Sequence, residues 1–174
     1  MRIQNKAEIA IMSLEGSRSA TTFELPDGRS ERLHFRQVSP TQFAVRPPTV
    51  DADGTTHIDL EIMEVELEAV SQELWPGQTI RVLGGFRASG KTLRAAVHIP
   101  AGKELADGVP AESWLYWQVE TPIGMLHNEQ PIHMTGEVTQ LPPYGSTFRS
   151  ADRIPLVDSE GVQRLVIYNC DQAN

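Results

Sequence analysis

An all-β fold, an antiparallel barrel or sandwich of about ten strands with little or no helix, is what this sequence predicts. Three observations predict it. Apolar and polar residues alternate with period two through most of the chain, as half-buried strands require. Gly, Pro and Asp-Gly turn signals recur between the alternating runs. No long segment shows helical period or helix caps, and only Val70 to Trp75 is expected to make one helical turn. At 174 residues the chain suits one domain, 1–174, with a possible internal corner at 47–55 where Pro47-Pro48 falls.

The elements follow in order. Ala7 to Leu14 is an apolar strand, Glu15 to Ser19 a turn or loop, and Thr21 to Leu25 a second strand. Pro26-Asp27-Gly28 turns the chain into Glu31–Val38, where Leu33 and Phe35 alternate with Arg32, His34 and Arg36. Phe43-Ala44-Val45 ends this section. Asp51 to Thr56 is an Asp-Gly turn; its aspartates lack the spacing of a calcium loop, because the twelfth position is Ile62. Pro100 to Glu112 is a loop. Ser113 to Glu120 is a strand with aromatics on both faces, Met125 to His127 and Ile132 to Val138 are two more, and Leu141 to Phe148 is an apolar, proline-containing loop that must find cover. Ile154–Val157, a turn at Asp158–Gly161, and the apolar strand Val162–Cys170 close the chain.

Residues 47 to 103 sort charge sharply. From Pro47 to Ile80 there are eight acids and no Lys or Arg; from Arg81 to Lys103 there are five cations and no acid. The acidic half alternates as Ile58, Leu60, Ile62 and then slips phase to Met63, Val65, Leu67, Ala69. One extra residue near Ile62-Met63 is the mark of a β-bulge. If Ile80 to Arg87 lies beside this strand, its glutamates face Arg81 and Arg87 and the arginines are structural.

Gly85 to Thr92 satisfies the phosphate-loop pattern GxxxxGK[ST]. Its context argues against that function. The apolar residues of 92–99 alternate with period two, and no βαβ unit surrounds them. A β-hairpin over 79–99, turning at Ser89-Gly90 and placing Val82 opposite Val97, is expected instead.

The net charge of −8 opposes non-specific nucleic-acid affinity. One cysteine, Cys170, excludes an intrachain disulfide and reads as a packed core thiol. The N-terminus carries no secretory signal and no run reaches membrane-spanning length, so synthesis inside the cell is expected, with residence in the cytoplasm or an assembled particle and no membrane partner. His127, Glu129, His133, Met125 and Met134 are the only cluster with metal-ligand chemistry, and hydrogen-bonded histidines explain them better than a metal does. No nucleophile–base set can be assembled, so no enzyme, cofactor or metal is expected.

What remains is a non-enzymatic β-module for structure or protein–protein assembly, with itself or a larger particle as partner. Trp114, Tyr116, Trp117, Tyr144 and Phe148 are its candidate interface. The alternative is an oligonucleotide-binding (OB-like) barrel for single-stranded nucleic acid, with phosphate contacts from Arg81, Arg87, Lys91 and Arg94.

Overall fold

The computed structural model describes residues 9–174, so Ala7 and Glu8 of the first predicted strand lie outside the described residues. The expected all-β antiparallel fold forms, and of the barrel and the sandwich it is the barrel. Its strands join end to end into eight passes. The first is β1 (Ala10–Leu14) with β2 (Arg18–Glu24); the second is β3 (Ser30–Gln37) with β4 (Thr41–Val45), followed by the short β5 (Thr49–Val50). The third is β6 (Thr56–Val70). The fourth is β7 (Thr79–Gly84) with β8 (Leu93–Ile99), interrupted by the single turn α1 (Phe86–Ser89). The fifth is β9 (Val109–Leu115) with β10 (Trp117–Thr121), and the sixth β11 (Gly124–His127) with β12 (Ile132–Val138). The seventh is β13 (Thr147–Ser150) with β14 (Ile154–Val157), and the eighth β15 (Gln163–Ala173).

Each pass lies antiparallel to the next, and β15 returns to β2 through pairs such as Ile167 with Phe23 and Gln172 with Ser19. Closure of the meander pairs both edges of the long strands. Among the described residues it leaves one free edge on β1, which pairs only with β4, and on the short β5, which pairs only with β6.

Six consecutive passes break at one level. Met63 is skipped between the pairs Gln42–Glu64 and Phe43–Ile62, which is the bulge read from the phase slip. Opposite it the fourth pass leaves the sheet from Gly85 to Thr92. The fifth breaks at Tyr116, the sixth at 128–131, the seventh at 151–153, and the eighth at Asn169, which has φ 50 and a register shift against β2. Side chains replace the missing ladder bonds. Buried Asn128 accepts from Trp117 N at 2.7 Å and donates to Leu115 O at 3.0 Å and Gln130 O at 2.8 Å. Gly85 is required where the fourth pass departs: its φ is 104, and a Cβ there would run into the Met63 carbonyl.

The expected hairpin over 79–99 does not form. Val82 lies between Leu67 and Val119, and Val97 between Ile58 and Ala111. Two apolar runs symmetric about a polar turn look alike whether they pair with each other or each pairs with half of a long third strand. The fifteen residues of β6 supply that third strand.

Val70 to Trp75 is no helix either. Ser71 to Gln78 forms a turn held by buried Glu31, which accepts from Ser71 Oγ at 2.6 Å, Gln72 N at 2.6 Å and Leu74 N at 3.0 Å. The fifth pass begins at Val109, earlier than the loop expected to reach Glu112.

Below the broken level the barrel is filled. Phe23, Leu33, Phe35, Ile80, Val82, Trp117, Val119, Leu126, Ile154, Leu156, Leu165 and Ile167 point inward and are buried. Phe35 lies 6.0 Å from Phe23 and 6.4 Å from Trp117, centroid to centroid. No helix among the described residues is long and apolar enough to cross a membrane.

Candidate functional site

Above the broken level small side chains stand among large buried ones such as Phe43, Leu60, Ile62 and Phe148 at the inward positions. Register puts Leu60 beside Ala95, Ala95 beside Ser113, Val97 beside Ala111, Ala111 beside Gly136, and Gln172 beside Ser19. Alternation sends these residues to the inside of the sheet, and the short ones, Ala95, Ala111, Ser113 and Ser19, leave space beside their larger neighbours. Two adjoining hollows result, of about 50 and 40 Å3. The first is bounded by Leu60, Ala95, Ala111, Ser113, Val138 and Phe148, with Leu141, Pro143 and Asn174 across its end. The second runs down to Leu115 and Trp117 and has a polar wall of Ser17, Ser19, Thr41 and Gln172. Phe43, Ile62 and Gln172 border both and form the partition.

The apolar loop 141–146 finds its cover here. Gly145 N donates to Asn174 O at 2.8 Å and Asn174 N donates to Ser146 O at 3.0 Å, so the loop is tied across the end of the barrel. The polar wall is hydrogen-bonded within itself: Ser17 Oγ to Asn174 Oδ1 at 2.9 Å, Gln172 Nε2 to the same oxygen at 2.9 Å, and Gln37 Nε2 to Thr41 Oγ1 at 2.8 Å. No charged group points into the hollows, although exposed Arg18 stands on the rim of the second. Glu112, which borders the first, turns its carboxylate outward to His98 and His133. Burial pushes that carboxyl up, but the two imidazoles more than offset it and hold it below its usual range. Inward-facing Cys170 is buried, and burial pushes its thiol up to about 11. It has the inertness of a core residue.

The structure scatters the residues singled out in the sequence. Trp117 is in the filled core and Phe148 is a wall of the hollow, so neither belongs to an outer interface. Trp114 and Tyr116 face outward but are covered: Trp114 stacks on His133 at 5.3 Å under Arg94, and Lys91 sits 4.3 Å over Tyr116. Tyr144 is exposed, with its hydroxyl accepting from Glu15 N at 3.3 Å.

Arg81 is ion-paired to Glu66 and Glu120 as the charge pattern implied, while Arg87 stands off the ladder in α1. With Arg81, Lys91 and Arg94 engaged and the topology an eight-pass meander, the OB-like reading loses its basis. The phosphate-loop reading fails too: the only helical turn in the motif ends at Gly90, where a phosphate-loop helix would begin. His127 and His133 are not brought together with the methionines, since Met134 points into the core and Met125 is exposed.

One outer row escaped the sequence reading. His57 bonds Asp51 at 2.8 Å and His98 at 2.9 Å through the two Nδ1 atoms; His98 bonds Glu112 at 2.8 Å, and Glu112 bonds His133 at 3.0 Å. These groups lie in a line across four passes, and no set among the described residues surrounds a point as a metal would need.

A closed up-and-down β-barrel, packed solid in one half and holding two small hollows in the other, is the class of protein this chain defines. No protein-family model matches it, and no curated protein does. Among solved structures it is similar to DynF from the dynemicin biosynthesis pathway of Micromonospora chersina, with a TM-score of 0.73 and 16% identity over 98% of this chain and 86% of that one. At that identity the likeness is one of fold. The expected role as a structural assembly module is corrected by it. A chain of the same architecture over nearly its whole length serves a biosynthetic pathway, and Trp117 and Phe148, two of the five aromatics behind the expectation, lie inside the barrel.

Proposed function

We propose that this chain binds a small, mostly apolar molecule inside the hollow half of its barrel. The observation that carries the reading is the pair of adjoining hollows that open beside the short inward side chains Ala95, Ala111, Ser113 and Ser19, among the larger Phe43, Leu60, Ile62 and Phe148. An eight-stranded barrel has an interior just wide enough to be filled by side chains or to hold one small ligand. Here one half follows each course. Apolar walls with a few polar groups on one side are the usual make-up of a small-molecule site.

At their present size the hollows admit only a few atoms each, so a ligand joins them by turning Phe43 out of the partition. Membership of a related barrel in a biosynthetic pathway supports a small organic molecule as occupant. The role proposed is binding; the inert Cys170 thiol supplies no nucleophile.

Fluorescence titration with Nile red, a neutral apolar dye, tests this. Saturable binding of one dye per chain is expected, weakened in Ala111→Leu, which fills the first hollow. Cooperative thermal unfolding of that variant will show that it still folds. The absence of saturable binding, or equal binding in the folded Ala111→Leu variant, would refute the reading.

A further inference from the structure

The hollow beside Trp117 reaches the barrel wall at a weak place. Between β1 and β2 the first pass leaves the ladder at 15–17, and between β3 and β4 the second leaves it at 38–40. Backbone pairing stops at Leu14 with Thr41 and resumes at Arg18 with Arg36. The side chain of Gln37 stitches the gap. It accepts from Ser17 N at 3.3 Å and donates to Leu14 O at 3.1 Å and Thr41 Oγ1 at 2.8 Å. Outside the stitch lies an open hollow of about 350 Å3, bordered by Glu15, Ser17, Arg18, Arg36 and Ser39 among others. Ser17 and Arg18 border both this outer hollow and the inner one.

The charges at this place are unusual. Arg18 and Arg36 are direct cross-strand partners. Like charges in that position destabilise a sheet. Arg36 is answered by Glu68 at 3.0 Å. Among the described residues Arg18 has neither an ion pair nor a side-chain hydrogen bond, and Glu15, on the same rim, makes no ion pair with it. Among the described residues an unanswered guanidinium thus stands where an outer hollow meets an inner one that is mostly apolar, with a polar wall on this side and no inward charge.

From this, and resting on the proposed binding role of the interior, we propose that the occupant is a monocarboxylate with a hydrocarbon chain. Its chain enters sideways between the first two passes past Gln37 and lies against Trp117 and Phe43. Its carboxylate stays in the outer hollow on Arg18. A guanidinium donates two parallel hydrogen bonds to a carboxylate, a geometry neither an alcohol nor an amine can match. A charged head held at the rim avoids the cost of taking a charge into the barrel.

Displacement of bound Nile red by dodecanoate, dodecanol and dodecylammonium tests the proposal. Dodecanoate is expected to bind the native chain about tenfold more tightly than dodecanol, the worth of one charge-assisted contact at an exposed rim. Dodecylammonium should be the weakest. Arg18→Gln should bring dodecanoate down to the level of dodecanol and leave dodecanol unchanged, and Gln37→Ala should speed dodecanoate association. Binding of Nile red with equal affinity for the acid and the alcohol, or an acid preference that survives Arg18→Gln, would overturn the Arg18 assignment and leave the interior site standing. Failure of Nile red and all three amphiphiles to bind would overturn both.

Discussion

Replacing Glu31 should unfasten one end of the barrel. Its carboxylate is, among the described residues, the one acceptor of the Ser71 hydroxyl and of the amides of Gln72 and Leu74, and together these define the turn 71–78 that caps the filled half. Burial pushes the carboxyl up, yet its hydrogen-bond donors more than offset burial and hold it below the usual carboxylate range. In Glu31→Gln at least one buried N–H loses its acceptor and meets an amide NH2, for a loss of about 2 kcal/mol. In Glu31→Ala all three donors are orphaned and the loss should reach about 4 kcal/mol.

Urea unfolding at neutral pH measures both. Because the folded-state pKa is depressed, this contribution is fully present above the unfolded value and is lost as pH falls through the folded one. The gap between native chain and Glu31→Gln should therefore narrow in acid. A loss below about 1 kcal/mol in Glu31→Ala, or a gap that widens on acidification, would refute the reasoning.

Three further outcomes are expected. Gly85→Ala forces a side chain into the Met63 carbonyl at φ 104, and urea unfolding should show a loss of about 2 kcal/mol or more; Gly90→Ala, with open space around its Cβ position, should cost less. Asn128→Ala removes three hydrogen bonds, two of them bridging the fifth and sixth passes and one within the sixth, and should lower stability by about 3 kcal/mol, read from the denaturant midpoint. Cys170, buried and with its thiol raised to about 11, should resist a thiol reagent at neutral pH until the chain unfolds, so labelling should follow the denaturation curve.

Much of the fold was legible because strand periodicity is local. The phase slip at Ile62-Met63 located a bulge to the residue, since a bulge must shift alternation by one. Partner choice was not legible over 79–99, where β7 and β8 are complementary to each other and to β6 alike. The hollow was half legible. Ala95, Ala111, Ser113 and Ser19 are visible as small residues in alternating strands, but only closure of the ring brings them around two adjoining hollows. The aromatics misled for a related reason. Trp114 and Tyr116 face outward as expected, but register brings His133, Arg94 and Lys91 over them, and register is set by pairings that no single strand encodes. The row from Asp51 to His133 is likewise a product of four strands side by side.

The level at which six passes break has a mechanical consequence. A continuous ladder makes a closed sheet stiff, because widening it at one height pulls on the bonds at every other. Here, from the third pass to the eighth, that transmission is carried by few links, Asn128 among them, and by the hydrophobic packing of the lower half. The upper ring can change its girth while the lower ring, filled by Phe23, Phe35 and Trp117, keeps its shape. The molecule behaves as a rigid cup with a softer collar, and the collar is the part that surrounds the hollow.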